Sequence, residues 1–170
     1  MTYPARRNWP ARRSECGATA TPTNIWSTAE MACPSVIGRS RMPEWVFDTV
    51  VLIDYFCGRQ GARPYFEAIL NKKATGAYST ISELELWQGL RPGEEERHQA
   101  LLSLLERVPL SGDIARSAGE LRRQVGLNKL SLPDAAIAAT AARLGRTLVT
   151  RNTRDFEQLK PRLALEFYTQ

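Results

Sequence analysis

Cysteine, histidine and long apolar runs are all scarce in this chain of 170 residues, and each scarcity removes a class of function. The three cysteines, Cys16, Cys33 and Cys57, lack metal-ligand spacing, and their odd number argues against a disulfide framework. Cys57 is expected to be a packed thiol in a reducing cytoplasm. With one histidine, His98, there is no Cys/His cluster to hold a soft metal. His98 lies in a charged stretch over 94–107 and is expected to face solvent. No run approaches the roughly eighteen apolar residues that a membrane span needs. The first residues have no apolar signal-peptide core, so secretion is not expected. Within 42–170 there is no internal repeat, low-complexity tract or second domain.

What is present is unevenly distributed. The formal net charge is +5, but most of it sits in residues 1–41, where six arginines face two glutamates. Residues 42–170 carry a net charge of only +1. The basic balance is therefore no evidence that the folded part binds nucleic acid. Residues 1–41 are rich in Pro, Thr, Ser, Arg and Ala and show no helical or strand periodicity, a composition that cannot bury enough surface to fold alone. They read as a disordered basic extension, or as the product of a start placed upstream of Met42.

From Met42 onward short apolar strands alternate with helices. Strands are expected over 45–48, 76–80, 108–110, 147–150 and 163–168. Helices are expected over 49–57, 64–70, 82–90 and 94–107, from Ser111 or Asp113 to Val125, and from Pro133 onward. Such alternation implies an α/β fold with a central, mainly parallel sheet flanked by helices and right-handed crossovers.

Four acids stand at informative points on this plan: Asp48, Glu85, Asp134 and Asp155. Three lie where a strand hands over to a helix or loop, and Asp134 opens a helix of small residues. In an open parallel sheet such points gather at one edge, beyond the carboxyl ends of the strands. Singly, each acid has a structural explanation. Asp48 can cap the next helix. Ser82-x-x-Glu85 and Ser131-x-x-Asp134 can be capping boxes, and Asp155 a local turn acid after Asn152. Capping, however, needs no particular sequence around the acids, and these have very particular surroundings.

Those surroundings are Asp48-Thr49 followed by Val51-Leu52-Ile53-Asp54, then Ser79-x-Ile81-Ser82-x-x-Glu85-Leu86-x-x-Gly89. The strongest is Pro133-Asp134-Ala135-Ala136-Ile137-Ala138-Ala139-Thr140-Ala141, followed by Leu148-Val149-Thr150-Arg151-Asn152 and Asp155-Phe156. From Val46 to Phe156 the chain resembles the PIN-domain family, and within it the VapC-type ribonuclease toxins of toxin–antitoxin pairs. The resemblance implies a PIN-like three-layer fold over 42–170. It puts Asp48, Glu85, Asp134 and Asp155 at the family's four acidic positions, as catalytic residues and metal ligands. Thr49, Thr150 and Asn152 are supporting polar residues. Glu83 competes with Glu85, and Gly89 fixes the register in favour of Glu85. One departure is Val50, where the family usually has Asn or Ser; support for the first acid would then fall to Thr49.

Converging acids need a cation, and hard oxygen donors favour Mg²⁺ or Mn²⁺. A divalent ion can neutralise a phosphodiester and ease deprotonation of a bound water. Asp48 is the candidate central ligand, Glu85 and Asp134 complete the site directly or through water, and Asp155 holds or assists a second ion. Arg151 and Arg154 are candidates for RNA phosphates. The resemblance further implies a VapB-like antitoxin and a homodimer. Trp87, Leu90, Leu101, Leu104 and Leu105 serve either an interface or an ordinary core. Two other readings are a catalytically weak RNA-binding module and a haloacid-dehalogenase-type phosphatase. The latter wants a second Asp where Val50 stands.

Overall fold

The computed structural model describes residues 42–169, so the extension expected over 1–41 lies outside the described residues. Five strands form one sheet: β1 (Glu44–Phe47), β2 (Thr75–Ser79), β3 (Glu106–Val108), β4 (Thr147–Thr150) and β5 (Leu165–Phe167). Their order is β3-β2-β1-β4-β5, and every neighbouring pair is parallel. The helices are α1 (Thr49–Phe56), α2 (Arg63–Leu70), α3 (Thr80–Gly89), α4 (Glu95–Leu102), α5 (Gly112–Val125), α6 (Leu132–Leu144) and the short α7 (Thr153–Phe156). A 3₁₀ turn follows over Glu157–Leu159.

Strand alternation builds the three layers. Val46, Ala77 and Leu148 join one core with Ile114, Leu121 and the small residues Ala135–Ala139 of α5 and α6. Their strand neighbours Phe47, Tyr78 and Val149 join a second core with Val51, Leu52, Phe66, Leu86 and Leu101. Alanine-rich α6 fits because small side chains allow the helix to lie close to the sheet; Ala135, Ile137, Ala138, Ala139 and Ala141 are wholly buried. Gly76 in β2 has a comparable reason: a Cβ there would meet Phe47, Ile69 and Leu105 at 2.6–2.8 Å.

Several expected boundaries move. The helix expected over 94–107 ends at Leu102, and β3 starts at Glu106 rather than Val108. Leu101 and Leu105 are core residues, whereas Trp87 and Leu104 are exposed. α3 begins before Ser82. Its cap is Ser79, whose hydroxyl accepts from the Ile81 N–H at 3.2 Å, so the Ser82–Glu85 capping box does not form. Cys57 is exposed rather than packed, because it follows the last turn of α1. His98 is half-buried rather than solvent-facing, stacked on Phe56 with ring centroids 3.7 Å apart. The Ser111 cap and the Gly126 stop of α5 fall where expected.

The chain runs from β1 outward to β2 and β3, then returns to β4 on the other side of β1. That reversal makes the carboxyl ends of β1 and β4 a topological switch point, where an open parallel sheet splays its loops into a crevice. No helix among the described residues is long and apolar enough to cross a membrane.

Candidate active site

Register brings the first contact. Phe47 of β1 pairs with Val149 of β4, so the next residues, Asp48 and Thr150, meet just beyond the sheet. The Thr150 hydroxyl donates to Asp48 Oδ2 at 2.5 Å and accepts the Asn152 N–H at 2.9 Å. Phe47 also pairs with Tyr78, one residue before the cap of α3. Glu85 follows on that helix, and its Oε2 accepts the Thr49 hydroxyl at 2.6 Å. Asp134 enters from the first turn of α6, where Ser131 donates to its Oδ2 at 2.5 Å and accepts its backbone N–H at 3.1 Å.

Asp48, Glu85 and Asp134 thus line one cleft of about 540 Å³, together with Thr49, Val50, Ile53, Arg151, Asn152, Thr153 and Arg154. Asp155 does not line it. Asn152 Nδ2 donates to Asp155 Oδ2 at 2.7 Å, so Asp155 buttresses a residue of the cleft wall. Glu83 points its charge elsewhere, pairing with Arg107 at 2.7 Å.

Asp48 occupies the cap position of α1, yet its side chain makes no capping hydrogen bond. It is only 5% exposed. Burial pushes its carboxyl up to about 7, the Thr150 hydrogen bond opposes this, and the nearby Asp134 and Glu85 charges push it further up. Val50 leaves the first acid without a polar neighbour at that position. The support comes from the Thr150 hydroxyl and the Thr49 backbone N–H, while the Thr49 hydroxyl holds Glu85.

Three carboxylates converge, and each accepts a hydroxyl hydrogen bond on one oxygen. Among the described residues no group of three or more acids, histidines or cysteines stands close enough to hold a metal ion by itself, so any ion here would rest on one or two carboxylates and be completed by water or substrate oxygens. An open set of oxygen donors suits Mg²⁺, which keeps several waters and commonly takes one or two carboxylates plus a substrate phosphate. The donor set therefore fits a hard divalent ion.

The expected phosphate ligands differ in their commitments. Arg151 binds Asp54 through Nε at 2.8 Å and Nη2 at 3.3 Å. Asp54 is completely buried and also receives Arg59 Nη1 at 2.6 Å and the Tyr168 hydroxyl at 2.8 Å. Burial and Asp54 raise the Tyr168 phenol, which keeps it a donor. Arg154 is exposed on the cleft rim with no ion pair among the described residues. The Asp54 hub was signalled only by an acid inside the apolar run Val51-Leu52-Ile53-Asp54-Tyr55-Phe56. Ser131 was visible as a cap but not as a partner of the Asp134 carboxylate.

Comparison with known proteins agrees with the fold. Residues 45–160 match the PIN domain family model. The ribonuclease VapC10 of Mycobacterium tuberculosis is 35% identical over 123 residues, which span 69% of this chain and 92% of that protein. A toxin–antitoxin complex from Klebsiella pneumoniae contains a chain 38% identical, with a TM-score of 0.57 over 65% of this chain and 88% of the other. VapBC2 from Rickettsia felis, bound to a DNA fragment from its promoter, aligns at 26% identity and a TM-score of 0.62 over 74% of this chain and 99% of the other. With its parallel sheet, its switch-point cleft and these relatives, the chain belongs to the PIN-domain family, in its VapC-type ribonuclease branch.

Proposed function

We propose that this protein is a Mg²⁺-dependent endoribonuclease and the toxin of a VapBC-type pair, held in check by a VapB-like antitoxin and acting as a homodimer. The observation that carries the reading is Asp48: a carboxylate buried at the switch point whose nearby charges, Asp134 and Glu85, are also acids. Such a group is costly to ionise alone and becomes favourable once a cation arrives. Asp48 would be the central ligand, with Glu85 and Asp134 binding directly or through water. Mn²⁺ would substitute for Mg²⁺. The ion supplies a Lewis acid for the phosphodiester and lowers the pKa of a bound water.

The remaining roles belong to the chain itself. Thr150, Thr49 and Ser131 orient the three acids, as outer-shell partners of metal ligands do. Asp155 holds Asn152 against the cleft. Arg154 meets a phosphate oxygen, and Arg151, tied to Asp54, stiffens the loop after β4. Hydrolysis by water leaves a 5′-phosphate and a 3′-hydroxyl.

The test is cleavage of single-stranded and structured RNA by the purified full-length chain with Mg²⁺, with Mn²⁺ and with EDTA, beside Asp48→Asn. Metal-dependent cleavage that is lost in the variant is expected. Cleavage that persists in EDTA or in Asp48→Asn contradicts the reading.

A further inference from the structure

A second concavity adjoins the carboxylate cleft. Its volume is about 300 Å³, and Ile53 and Glu85 line both it and the cleft, so the two concavities are direct neighbours. Its walls come from the end of α1, the end of α3 and the start of α4. The side chains that give it character are Phe56, His98, Arg91 and Arg97. Phe56 and His98 are stacked, with ring centroids 3.7 Å apart and planes inclined by 22°. Arg97 lies over the Phe56 ring, 5.9 Å from its centroid, and donates to the Phe56 carbonyl at 3.3 Å.

The tautomer of His98 follows from its partner. Nδ1 lies 2.8 Å from the carbonyl oxygen of Glu94, which only accepts, so Nδ1 carries the hydrogen. Nε2 is the ring's other polar edge. A half-buried imidazole fixed at one nitrogen and backed by an aromatic ring is a preorganised stacking platform.

We propose that this groove is a nucleobase subsite: it takes the unpaired base next to the scissile phosphate, stacked on the His98–Phe56 pair, with Arg91 and Arg97 facing the adjoining phosphate. The proposal rests on the ribonuclease reading and deepens it. A phosphodiester centred over the carboxylates brings its flanking nucleotides with it, and the groove next to the cleft is where one of them has room. The volume suits one planar base. Aromatic stacking with flanking arginines is how single-stranded nucleic acid is commonly held without base pairing.

The experiment is a binding cycle on the full-length chain carrying Asp48→Asn, so that RNA is not consumed. Fluorescence anisotropy in Mg²⁺ measures the Kd for a short labelled single-stranded RNA and for derivatives lacking one base at each position in turn. His98→Ala is expected to raise the Kd for intact RNA roughly tenfold, within the range of losing one base–aromatic stack. The same substitution should have almost no effect on the one derivative whose missing base filled the groove. His98→Tyr should restore binding. Gly89→Phe offers a second route, since Gly89 lines the groove and its Cβ direction is open. It should weaken binding without removing any existing contact.

An equal His98→Ala effect on every derivative, or none on any, overturns the subsite while leaving the ribonuclease reading intact. Unchanged RNA affinity with weakened binding of a cognate antitoxin would assign the groove to a peptide instead. No binding of any RNA, by this variant or by the wild type with metal, would remove both readings.

Discussion

Helix α1 carries two buried aspartates with opposite company. Asp48, at its start, is surrounded by Thr150, Asp134 and Glu85, and burial pushes its carboxyl up to about 7. Asp54, six residues on, receives two arginines and a tyrosine. Both are buried acids in one apolar sequence run, and only their neighbours distinguish them. Asp54 has its counter-charges built into the fold and acts as a brace between α1, the loop after β4 and the residue following β5. Asp48 has acids where Asp54 has arginines, and its carboxyl is raised accordingly. A buried acid with its cations supplied is architecture, and one with acids for company is the group on which the proposed cation site rests.

Substitution of the two aspartates should therefore separate activity from stability. Asp48→Asn is expected to reduce RNA cleavage by more than the roughly 10–100-fold that outer-shell partners cost, because it removes the proposed central ligand. The same variant should melt no lower than the parent at pH 8 without metal, since it removes a carboxylate that is unfavourable to ionise. Steady-state cleavage and a thermal melt read the two effects. Asp54→Ala should do the reverse in order of cause. It leaves Arg59 and Arg151 without their shared anion and is expected to destabilise by about 2–3 kcal/mol. That lies below the 3–5 typical of a fully buried pair, because both arginines are partly exposed. Urea denaturation gives the value.

The pH dependence sharpens the contrast. The Asp48 carboxyl is raised in the fold, so its contribution to stability is fully present below the unfolded value near 4. It is lost as pH rises to about 7, where the folded form ionises. Without metal, stability attributable to Asp48 should fall across that window and then level off. Added Mg²⁺ should raise the melting temperature more at pH 8 than at pH 5, since it binds the ionised form; at a hundred times its Kd the gain is about 2.7 kcal/mol. An equal Mg²⁺ effect at both pH values would break the assignment.

Smaller effects mark the periphery of the site. Thr150→Val and Thr49→Val should each weaken metal affinity by roughly 10–100-fold, measured by Mg²⁺ titration of cleavage, while the fold is kept. Smallest of all, Glu83→Gln should leave cleavage unchanged and cost about 1 kcal/mol, as it weakens the partly exposed pair with Arg107 while an amide can still meet Tyr78.

The sheet and the three cleft acids were legible in the sequence because their signals are local. Short apolar segments between helices marked β1, β2 and β4, and the strand register then brings Asp48 against Thr150. The small-residue run after Asp134 announced a helix packed closely on the sheet. What stayed hidden depends on contacts distant in sequence. The ties of Asp54 to Arg151 and Tyr168 join residues about a hundred positions apart, so an arginine beside the last acid looked like a phosphate ligand. Asp155 carried the expected family position, yet a short helix capped by Asn152 turns it onto Asn152 instead of the cleft wall. His98 looked solvent-facing because its own stretch is charged; its partner Phe56 lies on another helix.

Direct measurement of Mn²⁺ binding to the full-length chain by electron paramagnetic resonance tests the central contrast. The wild type and Asp54→Asn are expected to bind the ion, and Asp48→Asn is expected not to. Undiminished binding in Asp48→Asn, or no binding in the wild type, would contradict the account.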